Sequence, residues 1–400
     1  MQIRNLLLGC VVTAVIVLPR PGMADDDEQA RHTPPLEVSA YIRTWPMPDG
    51  DHWRAGDIDG KAITQLTIAF AALREDGEVY LPETEPRIGS DGKPAPVFKQ
   101  LWQEVAKLQH RYPKLKINLA IGGWGADGFS QMALTPEGRA RFVQSAVRLV
   151  EQHKLSGLGI EWQYPVGPDW GQPIKSDPRD KDNYPLLIEE TRAALDALGN
   201  RTQRRYQLTT AVPAGPWFAQ KNELARVARS VDYLTVTAYG AYGSWSANTG
   251  HFSNLYQRTD DPAYGGWSSD QAMRVYLDAG IAPAKLLMGV PFYGPVWTGV
   301  TDVQNGLFQQ FKATATDASW SEIKANYLRK SGYTRYWDAT AKAPWLYNGD
   351  TFVSYEDPES LREKVRYLRQ QGLGGLTIWE YAHDPNGELL SAIAQAQDRR

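Results

Sequence analysis

The sequence predicts a single α/β domain, a (β/α)8 (TIM) barrel with a small α+β insertion between its seventh and eighth strands. Three observations carry this. Eight short β-rich runs recur along the chain, several continuously apolar, as parallel strands covered on both faces must be. Stretches of helical periodicity separate most of them. No Gly-rich phosphate loop follows the first run, which argues against a doubly wound open sheet.

In chain order the strands fall at 36–42, 63–71, 117–121, 158–161, 206–212, 233–239, 286–292 and 375–379. Thr135-Pro136-Glu137 has the N-cap and first-turn character that opens a helix, and Phe142, Ala146, Leu149 and Val150 continue it at helical spacing. Residues 186–198 and 358–371 show the same period. The seventh and eighth runs are too far apart for one helix. The stretch 297–353 between them holds Trp320, Tyr327, Tyr333, Tyr336, Trp337, Trp345 and Tyr347. It reads as an α+β lobe walling one side of a groove.

Ahead of the barrel, which takes residues 36–400, Arg4 precedes an apolar run at 6–18, then Pro19, Pro21 and the small-residue site Gly22-Met23-Ala24. Residues 1–24 read as a secretory signal peptide cut after Ala24, and the polar stretch 25–35 as a disordered lead-in. The run is too short for a membrane span. Leu7-Leu8-Gly9-Cys10 faintly resembles a lipoprotein signal, but the apolar run continues past the cysteine. Cys10 is the only cysteine, so the mature chain would be disulfide-free. That suits an exported bacterial protein, periplasmic or secreted. A net charge of −3 without a Lys/Arg run gives no footing for nucleic acid.

Barrels of this kind do their chemistry at the C-terminal ends of the strands. The fourth run leaves through Ser156-Gly157-Leu158-Gly159-Ile160-Glu161-Trp162-Gln163-Tyr164-Pro165. Strand alternation turns Gly159, Glu161 and Gln163 inward. A carboxylate there is costly unless paired, so Glu161 is either a functional acid or the group that orders a polar barrel centre. Trp occurs 14 times and Tyr 20 times, which fits an aromatic core or a groove for a flat, ring-shaped ligand. The six histidines, His32, His52, His110, His153, His251 and His383, show no metal-ligand spacing. No metal and no cofactor is expected. Gly122-Gly123 reads as a tight turn beside a groove, and neither Ser156 nor Ser244 has an evident His/Asp partner.

The fourth run resembles the D-G-x-D-x-D-W-E-Y-P signature of glycoside hydrolase family 18, the chitinases and chitinase-like lectins. Gly157, Trp162, Tyr164 and Pro165 are kept. Five further segments resemble the family in the same order. Residues 116–124 match the S-x-G-G-W third strand, with Ala120 for Ser. Residues 231–239 with Gly243-Ser244-Trp245 match the sixth strand and its loop, and 289–294 the seventh. Residues 354–357 match the end of the insertion, and 374–379 the eighth strand.

The resemblance implies cleavage of β-1,4 links between N-acetylglucosamine units, with the substrate's acetamido oxygen as nucleophile, a Glu as acid and neighbouring aspartates as support. The family's acid falls on Gln163, its preceding aspartates on Glu161, Gly159 and Ser156, and its sixth-strand Tyr-Asp pair on Tyr239-Gly240. An amide donates a hydrogen bond but no usable proton. The sugar platform is kept: Trp379 at the central subsite, lined by Tyr41, Phe70, Trp124, Tyr164, Tyr239 and Tyr293, with Trp170, Trp217, Trp245 and Trp297 placed to extend it. The expected function is a chitinase-like carbohydrate-binding protein that lacks ordinary hydrolysis. The alternatives are a hydrolase or transglycosidase using Glu161, and a protein-binding module on the barrel surface. The expected partner is an aminosugar oligomer or polymer.

Overall fold

The computed structural model describes residues 35–47, 50–86, 93–262 and 267–398. The signal-peptide reading of 1–24 and nearly all of the lead-in lie outside them. Among the described residues, no helix is long and apolar enough to cross a membrane.

Eight parallel strands close into a barrel: β1 (Glu37–Arg43), β2 (Gln65–Leu73), β3 (Lys116–Gly122), β4 (Gly157–Glu161), β5 (Gln207–Pro213), β6 (Tyr233–Thr237), β7 (Leu286–Pro291) and β8 (Gly375–Trp379). Each pairs with the next, and β8 pairs with β1 to complete the ring. Side chains such as Leu158, Ile160, Leu208 and Leu234 face the surrounding helices and are fully buried. The inner face is polar and hydrogen-bonded. Gln65 Nε2 donates to Thr67 Oγ1 at 3.0 Å, Asn118 Nδ2 to Gln207 Oε1 at 3.1 Å, and Thr235 meets Thr377 at 3.3 Å. These pairings satisfy groups that would otherwise be costly in the interior.

Helices Pro136–Gln152, Asp180–Thr202 and Pro358–Gln370 pack outside the ring. Thr135 caps the first, accepting from Gly138 N at 3.0 Å, with Pro136 in the first turn where its missing N–H costs nothing. Asp357 caps the last, accepting from Glu359 N and Ser360 N. Between β7 and β8 the chain forms a five-stranded antiparallel sheet ordered 313–319, 293–298, 352–354, 343–347, 334–338. Helix Trp320–Asn326 follows its second strand in sequence. The sheet begins at Tyr293, ahead of residue 297. The reason is that the chain turns straight from β7 into an antiparallel strand without an intervening loop. Lys364, wholly buried, pairs with Glu356 at the lobe's exit and donates to Ser253 O at 2.8 Å. That joins the lobe to the loop after β6.

Candidate functional site at the barrel mouth

Glu161 ends β4 facing inward, while Trp162 turns outward and stacks on Phe129 with ring centres 5.4 Å apart. The carboxylate is buried, and both its oxygens are engaged. Tyr41 Oη donates to Oε1 at 2.5 Å and Gln163 Nε2 donates to Oε2 at 3.0 Å. Burial pushes Glu161 up to about 7, against the pull of these two hydrogen bonds. The layer beneath it at Gly159 is uncharged: a Cβ there would meet Thr209 Oγ1 at 3.1 Å and Ala120 at 3.7 Å. Burial comes first in raising the phenols of Tyr41, Tyr164 and Tyr239, and the charge on Glu161 adds to each.

The Gly122-Gly123 turn is what lets these strand ends approach. Both residues have positive φ, and Gly123 N donates to Glu161 O at 3.0 Å. A Cβ on Gly122 would sit 2.5 Å from that carbonyl, and one on Gly123 2.7 Å from the Phe70 ring.

Trp379, at the end of β8, stacks on Phe70 (5.5 Å, 14°) and lies 5.5 Å from Tyr41. Trp45 joins them, 6.3 Å from both Phe70 and Trp379. Sequence reading passed over Trp45, although it stands two residues beyond β1, where the strand-end rule points. It also missed the support behind the platform. Arg43 pairs with the fully buried Glu380, the residue after Trp379, and its backbone N–H donates to Glu380 Oε2 at 2.9 Å. Arg43 Nη2 lies 2.7 Å from His383 Nε2. Burial and then the Arg43 charge hold His383 down at about 3, so the imidazole is neutral and accepts. The Arg43 guanidinium also lies 5.4 Å from the centre of the Trp45 ring. Across the mouth, Tyr239 meets Tyr293 edge-on at 6.2 Å and Phe252 at 5.9 Å.

Trp124, Trp170 and Trp245 stand exposed on the rim, at 73%, 76% and 69%. Trp217 is half-buried beneath Trp170. Trp297 does not extend the groove. It is wholly buried in the lobe, packed edge-on against Phe352 at 5.7 Å, because its strand belongs to the lobe's own sheet. Among the described residues, no group of three or more His, Cys, Asp or Glu could hold a metal ion.

Residues 38–384 match the profile of Glycosyl hydrolases family 18. The chain belongs to this family. Its family 18 relatives include Chitinase A1 of Niallia circulans, 30% identical over 97% of this chain. The match spans 61% of that relative's length. Chitotriosidase-1 of Mus musculus is 30% identical over 86% of this chain and 72% of its own. Among solved structures, a family 18 N-acetylglucosaminidase from Paenibacillus barengoltzii superposes with TM-score 0.77 at 34% identity, covering 90% of this chain and 99% of that one. A Glu→Gln mutant of the class V chitinase from Nicotiana tobaccum, in complex with NAG4, superposes with TM-score 0.77 at 26% identity, covering 91% and 99%.

Proposed function

We propose that this chain is a chitinase-like protein that binds oligomers of N-acetylglucosamine or a related aminosugar polymer and lacks ordinary chitinase hydrolysis. One observation carries the reading. The position that should present a proton holds an amide, and that amide is tied to a carboxylate whose other oxygen is taken by Tyr41. The amide has no acidic proton to give a glycosidic oxygen, and both oxygens of the carboxylate are already engaged. Meanwhile Trp379, Phe70, Tyr41 and Trp45 form a continuous aromatic surface on which the C–H face of a pyranose gains dispersion and apolar burial. The tobacco chitinase carrying a Glu→Gln replacement in complex with NAG4 supports the view that such a replacement is compatible with holding a chitin-type oligomer. Export, read from the apolar run at 6–18, would bring this groove to polymer outside the cytoplasm. Titration of chitooligosaccharides against tryptophan fluorescence, with a parallel assay of released sugar, tests the reading. Saturable binding without turnover is expected. No saturable change at millimolar ligand overturns it.

A second reading is favoured by the Glu161 carboxyl itself, which burial pushes up to about 7 and so leaves partly protonated near neutrality. In that reading Glu161 donates the proton to a repositioned aminosugar polymer such as chitin or peptidoglycan. Turnover abolished by Glu161→Gln and tolerant of Gln163→Ala would select it over the first.

A further inference from the structure

Deeply buried carboxylates elsewhere in this protein are met by positive groups. Glu356 pairs with Lys364 and Glu380 with Arg43. Asp338 lies 2.9 Å from Arg258 Nη1, and Asp357 2.6 Å from Arg335 Nη2. Asp180 and Asp384 accept instead from backbone N–H groups, Asp177 N and Leu389 N, each at 2.8 Å. Glu161, 3% exposed, has neither kind of partner. Its two hydrogen bonds come from the neutral side chains of Tyr41 and Gln163. Among the described residues, no cation offsets its charge.

The neighbouring strand ends do not supply one. Gly159 and Gly240 carry no side chain, and Gln163, Tyr164 and Tyr239 are half-buried and uncharged. An anion buried without a counter-charge is costly, and burial pushes this carboxyl up to about 7. A carboxylate accepts about four hydrogen bonds, of which two are made here. Room therefore remains on Glu161 for a donor that also brings positive charge. The aromatic mouth says what should carry it. Trp379 lies 5.5 Å from Tyr41, the residue that donates to Glu161. A pyranose seated on Trp379 thus lies against the side chain that holds the carboxylate. A free amine on that ring, once protonated, brings three N–H donors and a charge. An acetamide brings one N–H and no charge.

We propose that the central subsite takes a glucosamine unit whose ammonium pairs with Glu161, so that the preferred polymer is a de-N-acetylated aminosugar. The proposal names the substituent recognised at the platform and rests on the sugar-binding reading above. Glu161 is then the specificity-determining residue, and the empty positions at Gly159 and Gly240 leave it as the one counter-charge offered at these strand ends.

Calorimetric titration of wild type and Glu161→Gln with chitohexaose and with the hexamer of glucosamine, near neutral pH, tests this. Thermal unfolding checks the fold of the variant. Wild type should bind the glucosamine hexamer about tenfold more tightly than chitohexaose. Glu161→Gln should lose that preference, with chitohexaose affinity within about twofold of wild type. A second measurement needs no variant. In about 1 M salt the wild-type preference should persist, because a buried pair is screened far less than exposed charges. Chitohexaose bound as tightly as the glucosamine hexamer by wild type overturns the pairing and leaves the sugar-binding reading standing. A preference that survives in Glu161→Gln, or vanishes in high salt, also overturns it, by assigning the effect to general attraction for a polycation. A wild type that binds neither hexamer overturns the sugar-binding reading, and the pairing with it.

Discussion

Tyr41 and Glu161 come from strands three places apart in the barrel and meet at its mouth, Tyr41 Oη to Glu161 Oε1 at 2.5 Å. The bond holds a buried carboxylate above the uncharged groups Thr209 and Ala120 that flank Gly159. The folded chain thus has an acid whose charged form it disfavours.

That fixes the sign of a pH effect on stability. Glu161 titrates at about 7 in the folded chain against 4.5 ordinarily. Between these values the folded state binds more protons than the unfolded state, so stability falls as pH rises and levels off above the upper one. The fall attributable to Glu161 is about 3 kcal/mol. Urea denaturation from pH 4 to 8 should show this slope in wild type and lose it in Glu161→Gln. An unchanged slope in the variant would assign it to other groups.

Gln163→Glu places a second carboxyl within hydrogen-bond distance of the first, since Gln163 Nε2 lies 3.0 Å from Glu161 Oε2. Two carboxyls so close share a proton, and one of them stays protonated at neutral pH. The variant should cleave chitooligosaccharides about a hundredfold faster than wild type, with Gly159 and Gly240 still limiting it. No gain in released sugar would show that the losses at those two positions dominate.

All eight strands, the helices at 136–152, 180–202 and 358–370 and the Thr135 cap were legible in the sequence, because apolar runs and capping residues act locally. Glu161 and Gln163 were legible because strand alternation turns them into the barrel, whereas Tyr41, Phe70 and Trp379 were read from the family resemblance, and all five meet at the mouth. The Arg43–Glu380–His383 support was not, since it joins residues more than 300 positions apart with no local pattern. Trp297 was misplaced for a related reason. Standing after a barrel strand is no guide to exposure when the chain has already entered another sheet.

Gly159, in the fourth-strand signature, and Gly240, after the sixth strand, both stand where the family has an aspartate but differ physically. Gly240 has φ +88° with nothing closer than 3.9 Å to a built Cβ, so the obstacle to a side chain is the backbone. Gly159 has no such strain, and its Cβ would meet only Thr209 Oγ1 closely, at 3.1 Å. Gly240→Ala should cost about 1–2 kcal/mol. Gly159→Ala should be neutral or stabilise by about 0.5 kcal/mol through the unfolded chain. Thermal unfolding of the two variants checks the contrast, and the reverse order would refute it.

Trp379 and Trp297 separate binding from folding. Trp379 is half-buried, with one neighbour stacked on it and the mouth before it. Trp297 is wholly enclosed by Phe352, Trp345, Tyr347 and Val300 in the lobe core. Removing a ring that is already covered leaves a cavity, so Trp297→Ala should cost about 3–5 kcal/mol of stability. Removing the half-buried platform ring forfeits its packing on Phe70 and Tyr41 and, above all, the face it offers the ligand. Trp379→Ala should therefore weaken chitooligosaccharide binding about tenfold or more while unfolding closer to wild type than Trp297→Ala does. Calorimetry and urea denaturation on both variants decide this. If Trp379→Ala binds sugar as wild type does, the aromatic face it shares with Phe70 is not the sugar's seat.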